Sequence, residues 1–303
     1  MDAIATAGLT RIFGAKRAVD DLTLTVRQGD IYGFVGRNGS GKSTVMKMIC
    51  GLVPQTAGTV RIFGEQFAPG TTSRRIGAVI EDPGFYPGFT GLDNVRCRAL
   101  SLGLPDEKAA SARALEQVGL AEVARKKAKA YSLGMKQRLG LAMALVGSPD
   151  ILMLDEPFNG LDPQVVREVR SLIVRLAETR GVTVFISSHV LDQLERMVTR
   201  YGVIREGRMV RELTAADVER ECSDFLQVET ANPKRALAVL QERFPALRFQ
   251  AMPDASLRAF GGADAAAVGA ALAEQGIAVS GLYAHKRDLE EFFVEMMGAE
   301  HRG

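Results

Sequence analysis

Gly36-Arg37-Asn38-Gly39-Ser40-Gly41-Lys42-Ser43-Thr44 fits the pattern G-x-x-x-x-G-K-[ST], in which a glycine-rich turn wraps a nucleotide's phosphates. The flanks supply the context this pattern needs. Ile31-Tyr32-Gly33-Phe34-Val35 reads as a buried strand, and residues 45–52 read as a short helix stopped by Pro54. Glycines let the backbone approach a phosphate closely, successive N–H groups point inward, and the helix N-terminus adds partial positive charge. Lys42 is expected to supply a full charge, and Ser43 an oxygen for Mg²⁺.

Outward from the loop, the chain's 303 residues are enough for an α/β domain plus a smaller one. Lys and Arg number 38 against 36 Asp and Glu, a net charge of +2. Such a balance leaves no electrostatic footprint for wrapping nucleic acid, and none is expected as a partner. The three cysteines, Cys50, Cys97 and Cys222, are far apart and match no metal-ligand spacing, which favours a reduced cytosolic setting. Residues 1–10 lack the layout of a secretory signal, and no apolar run approaches the roughly 20 residues of a membrane helix.

Alternating apolar positions predict strands over 4–9, 22–26, 59–63 and 75–80. From Leu92 the spacing turns helical, with Ala109, Ala112, Leu115 and Val118 predicted on one buried face. A second helix is expected over 133–146, then Ile151-Leu152-Met153-Leu154, apolar throughout as suits a parallel strand buried on both faces. Helix 163–179, strand 182–186 and a hairpin around Glu206-Gly207 continue the alternation. Beyond about residue 213 smaller units begin: strands over 225–228, 247–251, 257–260 and 277–282, with helices over 233–244, 265–275 (capped by Asp264) and 287–297. These predict a small α+β appendix over 213–303.

The loop requires a carboxylate opposite its Ser to complete a Mg²⁺ site. The apolar strand delivers one, ending in Asp155-Glu156-Pro157 at the edge where α/β sheets place ligands. Asp155 is read as a metal ligand and Glu156 as the general base that polarises an attacking water.

With Asp155-Glu156-Pro157 in place, residues 1–212 resemble the nucleotide-binding subunits of ABC transporters. The resemblance implies a P-loop NTPase cassette with a RecA-like core, an antiparallel β subdomain and a helical subdomain over about 85–147. Ser132-Leu133-Gly134-Met135-Lys136-Gln137 stands where the family carries Ser-Gly-Gly-Gln; Ser132 and Gly134 match, Leu133 and Met135 do not. Ser132 can cap the helix that follows, leaving N–H groups to face a γ-phosphate. In the family that phosphate belongs to the opposing subunit, so the resemblance implies a head-to-tail homodimer with two ATP molecules between the copies. Asn159-Gly160-Leu161-Asp162 resembles the loop linking the two sites, and His189 the switch histidine at the γ-phosphate. Phe13 matches the aromatic that stacks on adenine, a role Phe fills as well as Tyr because the ring face binds.

The chain departs from the family pattern at Glu81, in Ile80-Glu81-Asp82-Pro83, where a Mg²⁺-binding Gln is usual. Glu keeps an oxygen ligand but adds charge: at about 4 Å from a phosphate oxygen and an effective dielectric of about 20, roughly 4 kcal/mol of repulsion precedes any metal. Glu81 and Ser-Leu-Gly-Met-Lys-Gln-Arg together are similar to the subgroup that exports bacitracin-like peptides and confers lantibiotic immunity. This implies an ATPase serving a separate permease at the cytoplasmic face of the membrane. Phe85, Tyr86 and Phe89 lie in the segment that, by resemblance, meets the permease; buried packing is the alternative for these rings. The appendix resembles the accessory domain of such ATPases. Two other readings stand beside this one: a soluble switch of the same fold acting on nucleic acid or ribosomes, and a regulatory subunit that binds ATP without transport. Against the first, the segment between Lys42 and Ser132 carries neither heptads nor Cys pairs.

Overall fold

In the computed structural model, which describes residues 1–195, 197–222, 224–285 and 289–298, the chain begins with two long antiparallel strands. These are β1 (Asp2–Phe13) and β2 (Lys16–Arg27), followed by β3 (Ile31–Val35) and helix α1 (Lys42–Ile49). Strands β4 (Ala57–Ile62), β5 (Glu65–Phe67) and β6 (Ile76–Val79) come next, then helices α2 (Gly91–Ser101), α3 (Glu107–Gln117) and α4 (Leu133–Leu145). The alternation β7 (Ile151–Asp155), α5 (Pro163–Arg180), β8 (Thr183–Ser188) leads into the hairpin β9 (Arg200–Arg205) and β10 (Arg208–Thr214).

Two sheets enclose the main core. One runs β10-β9-β3-β8-β7-β6, parallel except for β10, and the other is antiparallel, β2-β1-β4-β5. Every residue of β3, β7 and β8 is buried, as parallel strands covered on both faces require. Val45, Met46, Met48 and Ile49 of α1 join Leu9, Leu22 and Leu24 of the antiparallel sheet and Phe34, Met153 and Phe185 of the parallel one in one cluster. The helix after the phosphate loop is thereby anchored by both sheets. Burial pushes the Cys50 thiol at its end up to about 12, so this cysteine packs as a small hydrophobe.

Sequence boundaries shift for local reasons. The helix predicted over 45–52 starts at Lys42, directly from the left-handed Gly41, and stops at Ile49 because Gly51 turns left-handed (φ 70°). On α3 the buried face is Ser111, Ala114 and Leu115, while the expected Ala112 is exposed. Ser111 tolerates burial because its hydroxyl donates to the Glu107 carbonyl at 2.6 Å. The short strand β5 and a helix over Ala215–Glu221 (α6) were not expected from the pattern.

The chain divides into two compact units, Met1–Ala215 with residues 296–298, and Ala216–Glu295. The second holds β11 (Phe225–Thr230), α7 (Pro233–Arg243), β12 (Arg248–Ala251), β13 (Leu257–Phe260), α8 (Ala265–Glu274), β14 (Val279–His285) and, reaching to the division, α9 (Leu289–Met296). Its antiparallel sheet runs β12-β13-β11-β14, the split β-α-β-β-α-β arrangement. One face carries Leu226, Val228, Leu257 and Ala259 against Ala236 and Leu240 of α7 and Val268 and Leu272 of α8. Asp264 caps α8, accepting the Ala266 N–H. Arg287, the expected start of the closing helix, lies outside the described residues.

Candidate active site at the strand edge

Parallel register brings four predicted segments to one edge. The phosphate loop follows β3, His189 follows β8, Glu156 follows β7, and Glu81 follows the neighbouring β6, all at carboxyl ends. This is where open α/β sheets gather their ligands.

The geometry of the loop demands glycine at two positions. A Cβ on Gly36 would lie 2.5 Å from Ser40 Oγ and 2.6 Å from the Ile204 carbonyl, and Gly41 adopts φ 108°. The turn closes tightly enough that Lys42, 5% exposed, folds back to donate to the Gly36 carbonyl at 2.6 Å. A second donation, to the Arg37 carbonyl, spans 3.3 Å. Within the loop Ser40 Oγ is buried without a hydrogen-bond partner. Buried polar atoms are ordinarily satisfied, so this orphan fits a loop built to receive polyphosphate oxygens.

Next to the loop, Glu156 is bent into the left-handed region (φ 47°), which costs a non-glycine residue about 1 kcal/mol or more. The bend aims its carboxylate at the Lys42 ammonium and the His189 ring. Oε2 lies 2.8 Å from His189 Nδ1 and accepts the His189 backbone N–H at 3.4 Å. Oε1 lies 3.4 Å from Lys42 Nζ and is buried without a hydrogen bond. A carboxylate so placed can take a proton from a water while the histidine holds its orientation.

Ser187 was not singled out by sequence reasoning. Fully buried on β8, it donates to Asp155 Oδ1 at 2.6 Å and accepts the Glu156 N–H at 2.9 Å. One hydroxyl thus fixes both acids. Its only trace in the sequence is its place two residues before His189. Asp155 itself is 5% exposed, with one oxygen held by Ser187. Ser43 lies in the first turn of α1 and Asp155 ends β7, so both offer oxygen donors at this strand edge; hard oxygen donors beside a polyphosphate loop suit Mg²⁺.

Glu81 sits apart from the acids. It too is left-handed (φ 62°), and its carboxylate, 62% exposed, pairs with Lys47 Nζ of α1 at 2.5 Å. Ser132 caps α4, accepting the Met135 N–H at 3.2 Å. Gly134 permits close approach of α4 to α5, since a Cβ there would lie 2.8 Å from Val165. Phe13 is 46% exposed with the Arg11 guanidinium 4.4 Å over one ring face. Among the described residues, no hydrogen bond or ion pair joins Ser132 to the cluster around Lys42. Tyr86 and Phe89, 61% and 46% exposed, pack on each other with centroids 5.3 Å apart, so these two rings lie on the surface rather than in the core.

A family profile described as ABC transporter matches residues 19–159. The bacitracin transport ATP-binding protein of Bacillus licheniformis is 38% identical over 298 residues, covering 97% of both chains. The lantibiotic transport ATP-binding protein of Streptococcus pyogenes is 36% identical over 67% of this chain and 87% of its own. Among solved structures, a bacterial ABC transporter cassette in dimeric form superimposes with a TM-score of 0.64 at 25% identity, covering 70% of this chain and 98% of that one.

Proposed function

The chain belongs to the ATP-binding proteins of ABC transporters, and from that premise we propose which of its residues carry the reaction and what it serves. It is an ATPase subunit that powers a separate permease. In our reading, the N–H groups from Gly36 to Thr44 and the Lys42 ammonium bind the β- and γ-phosphates, including Arg37, Asn38 and Gly39 by their backbone. Ser43, Asp155 and Glu81 would hold Mg²⁺. When bound, the ion offsets phosphate charge and polarises a phosphoryl oxygen. Glu156 accepts the proton of the attacking water, His189 orients Glu156, and Ser187 keeps both acids aimed. Phe13 offers adenine the ring face that Arg11 leaves open.

The observation that carries this reading is the placement of Glu156. A carboxylate held between a buried lysine and a histidine, at the cost of a strained backbone, serves no packing role. We further propose a head-to-tail homodimer in which Ser132 and Gly134 of one copy complete the site of the other; the dimeric form of the similar cassette supports it. The names of its relatives, transporting bacitracin or lantibiotics, support export of peptide antibiotics or related amphipathic compounds. The exposed Tyr86 and Phe89 are the proposed contact with the permease, at the cytoplasmic face of the membrane. Among the described residues no helix is long and apolar enough to cross a membrane. Residues 213–303 are assigned as the accessory domain.

Purification from membranes tests the assignment. A permease should co-purify with the chain, and loss of the chain should sensitise cells to peptide antibiotics. Recovery without any membrane protein, with unchanged sensitivity, would remove the exporter reading.

Glu81 gives a narrower prediction. In the proposed site its charge would stand near phosphate, although in the structure it is exposed and bonded to Lys47; as an exposed pair, Lys47 and Glu81 are weakly coupled. Glu81→Gln should therefore lower the Mg²⁺ concentration needed for half-maximal ATPase. An unchanged Mg²⁺ titration would confine Glu81 to its bond with Lys47.

A further inference from the structure

The sheet of the second unit has its helices α7 and α8 on one face, and the opposite face carries a row that crosses all four strands. Arg248, Phe260, Phe225 and His285 stand directly opposite one another on β12, β13, β11 and β14. The His285 ring stacks on Phe225 at 4.9 Å, and Phe225 meets Phe260 at 5.7 Å. Two guanidinium groups cap this aromatic row: Arg248 lies 4.4 Å over Phe260, and Arg258 4.4 Å over Phe225. A pocket of about 400 Å³ opens above them, also lined by Arg220, Glu221 and Gln250.

Three arginines and one carboxylate, Glu221, line this pocket. Arg220 is engaged by Asp217. Among the described residues neither Arg248 nor Arg258 has a carboxylate within ion-pair distance, and Arg258 Nε is buried with no hydrogen-bond partner. Asp254, a carboxylate near Arg258, is held by the Ser256 N–H and hydroxyl. A guanidinium stacked on a ring keeps its in-plane N–H fork available, the arrangement that matches phosphate bidentately. Two such forks on adjacent strands, fixed by aromatic stacking, form a preorganised cationic site.

We propose that this pocket binds a phosphate group, gripped by Arg248 and Arg258 with Gln250 as an additional donor. The phosphate belongs either to a soluble phosphorylated molecule or to a phospholipid headgroup. Neither source involves the phosphate loop of the first unit, and the proposal does not rest on the reading of that loop.

The test uses the full chain carrying Lys42→Ala, so that the loop contributes little, with and without Arg248→Gln plus Arg258→Gln. Inorganic pyrophosphate is titrated calorimetrically, and vesicles of phosphatidylglycerol or of phosphatidylcholine are tested by co-sedimentation. Losing two charge-assisted forks should weaken the affected probe by at least about tenfold. Weakening for pyrophosphate supports the soluble source; weakening for phosphatidylglycerol vesicles alone supports the headgroup. Arg248→Lys plus Arg258→Lys should fall between, because charge remains and the fork is lost. Circular dichroism, and ATPase activity of the double Gln variant with Lys42 intact, establish that the chain is folded. Equal affinity of both chains for pyrophosphate and for anionic vesicles, or binding of neither probe by the parent, overturns the proposal.

Discussion

Glu156→Gln is expected to lower the turnover of ATP hydrolysis by about 10²–10⁴-fold, the contribution of a positioned general base, while ATP binding persists. The substitution is nearly isosteric. Gln keeps an oxygen to face His189 and accepts the same left-handed backbone, so the hydroxyl of Ser187 still receives the residue-156 N–H. What disappears is the proton acceptor. The charge that faced Lys42 at 3.4 Å disappears as well, leaving the lysine free for phosphate oxygens. Binding should hold or tighten while chemistry stalls, and if two copies share two ATP molecules the stalled state is a closed dimer. Phosphate release gives the rate, and size-exclusion chromatography with ATP gives the assembly. Turnover within a fewfold of the parent would remove Glu156 as the base; slow turnover without an ATP-dependent dimer would keep the base and remove the shared site.

How far this site is legible in the sequence depends on how local its determinants are. The phosphate loop is one continuous segment whose turn demands glycine at Gly36 and Gly41, so its geometry is written within a few residues. The buried strand before Asp155 is also local, because a parallel strand covered on both faces is apolar at each position. Ser187 is different. Its role depends on register between β7 and β8, which pairs Asp155 with Ser187 across separate segments, and a lone serine carries no periodic signal. The same distinction explains α3, where Ala112 fits the apolar spacing but Ser111 is buried because its hydroxyl finds a carbonyl one turn away. The bend at Glu156 is likewise invisible to pattern, since the strain is imposed by surrounding structure. In the second unit, strand periodicity shows which residues share a face, but pairing order is needed to align Arg248, Phe260, Phe225 and His285.

Lys42→Ala carries the other large effect, a loss of ATP affinity of about 10²-fold or more. A hydrogen bond to a charged group contributes about 1.5–3 kcal/mol, and in the proposed site the lysine would serve more than one phosphate oxygen. Its removal also disturbs the protein without nucleotide. The Gly36 carbonyl loses the donor at 2.6 Å, and Glu156 keeps a buried oxygen with no cation beside it. Each orphaned group costs about 1–3 kcal/mol, so the melting temperature should fall in the absence of ATP, and added ATP should no longer raise it. Lys42→Arg separates charge from shape. It retains the positive charge, but Lys42 is 5% exposed with its ammonium 2.6 Å from the Gly36 carbonyl, and a bulkier planar guanidinium does not fit the space that a compact ammonium fills. Arg should therefore rescue little of the affinity. Equilibrium binding of a fluorescent ATP analogue, with melting curves for the same three chains, reads both effects. Affinity for Lys42→Ala within about twofold of the parent would mean that the backbone N–H groups alone hold the phosphates, and that Lys42 serves to position Glu156.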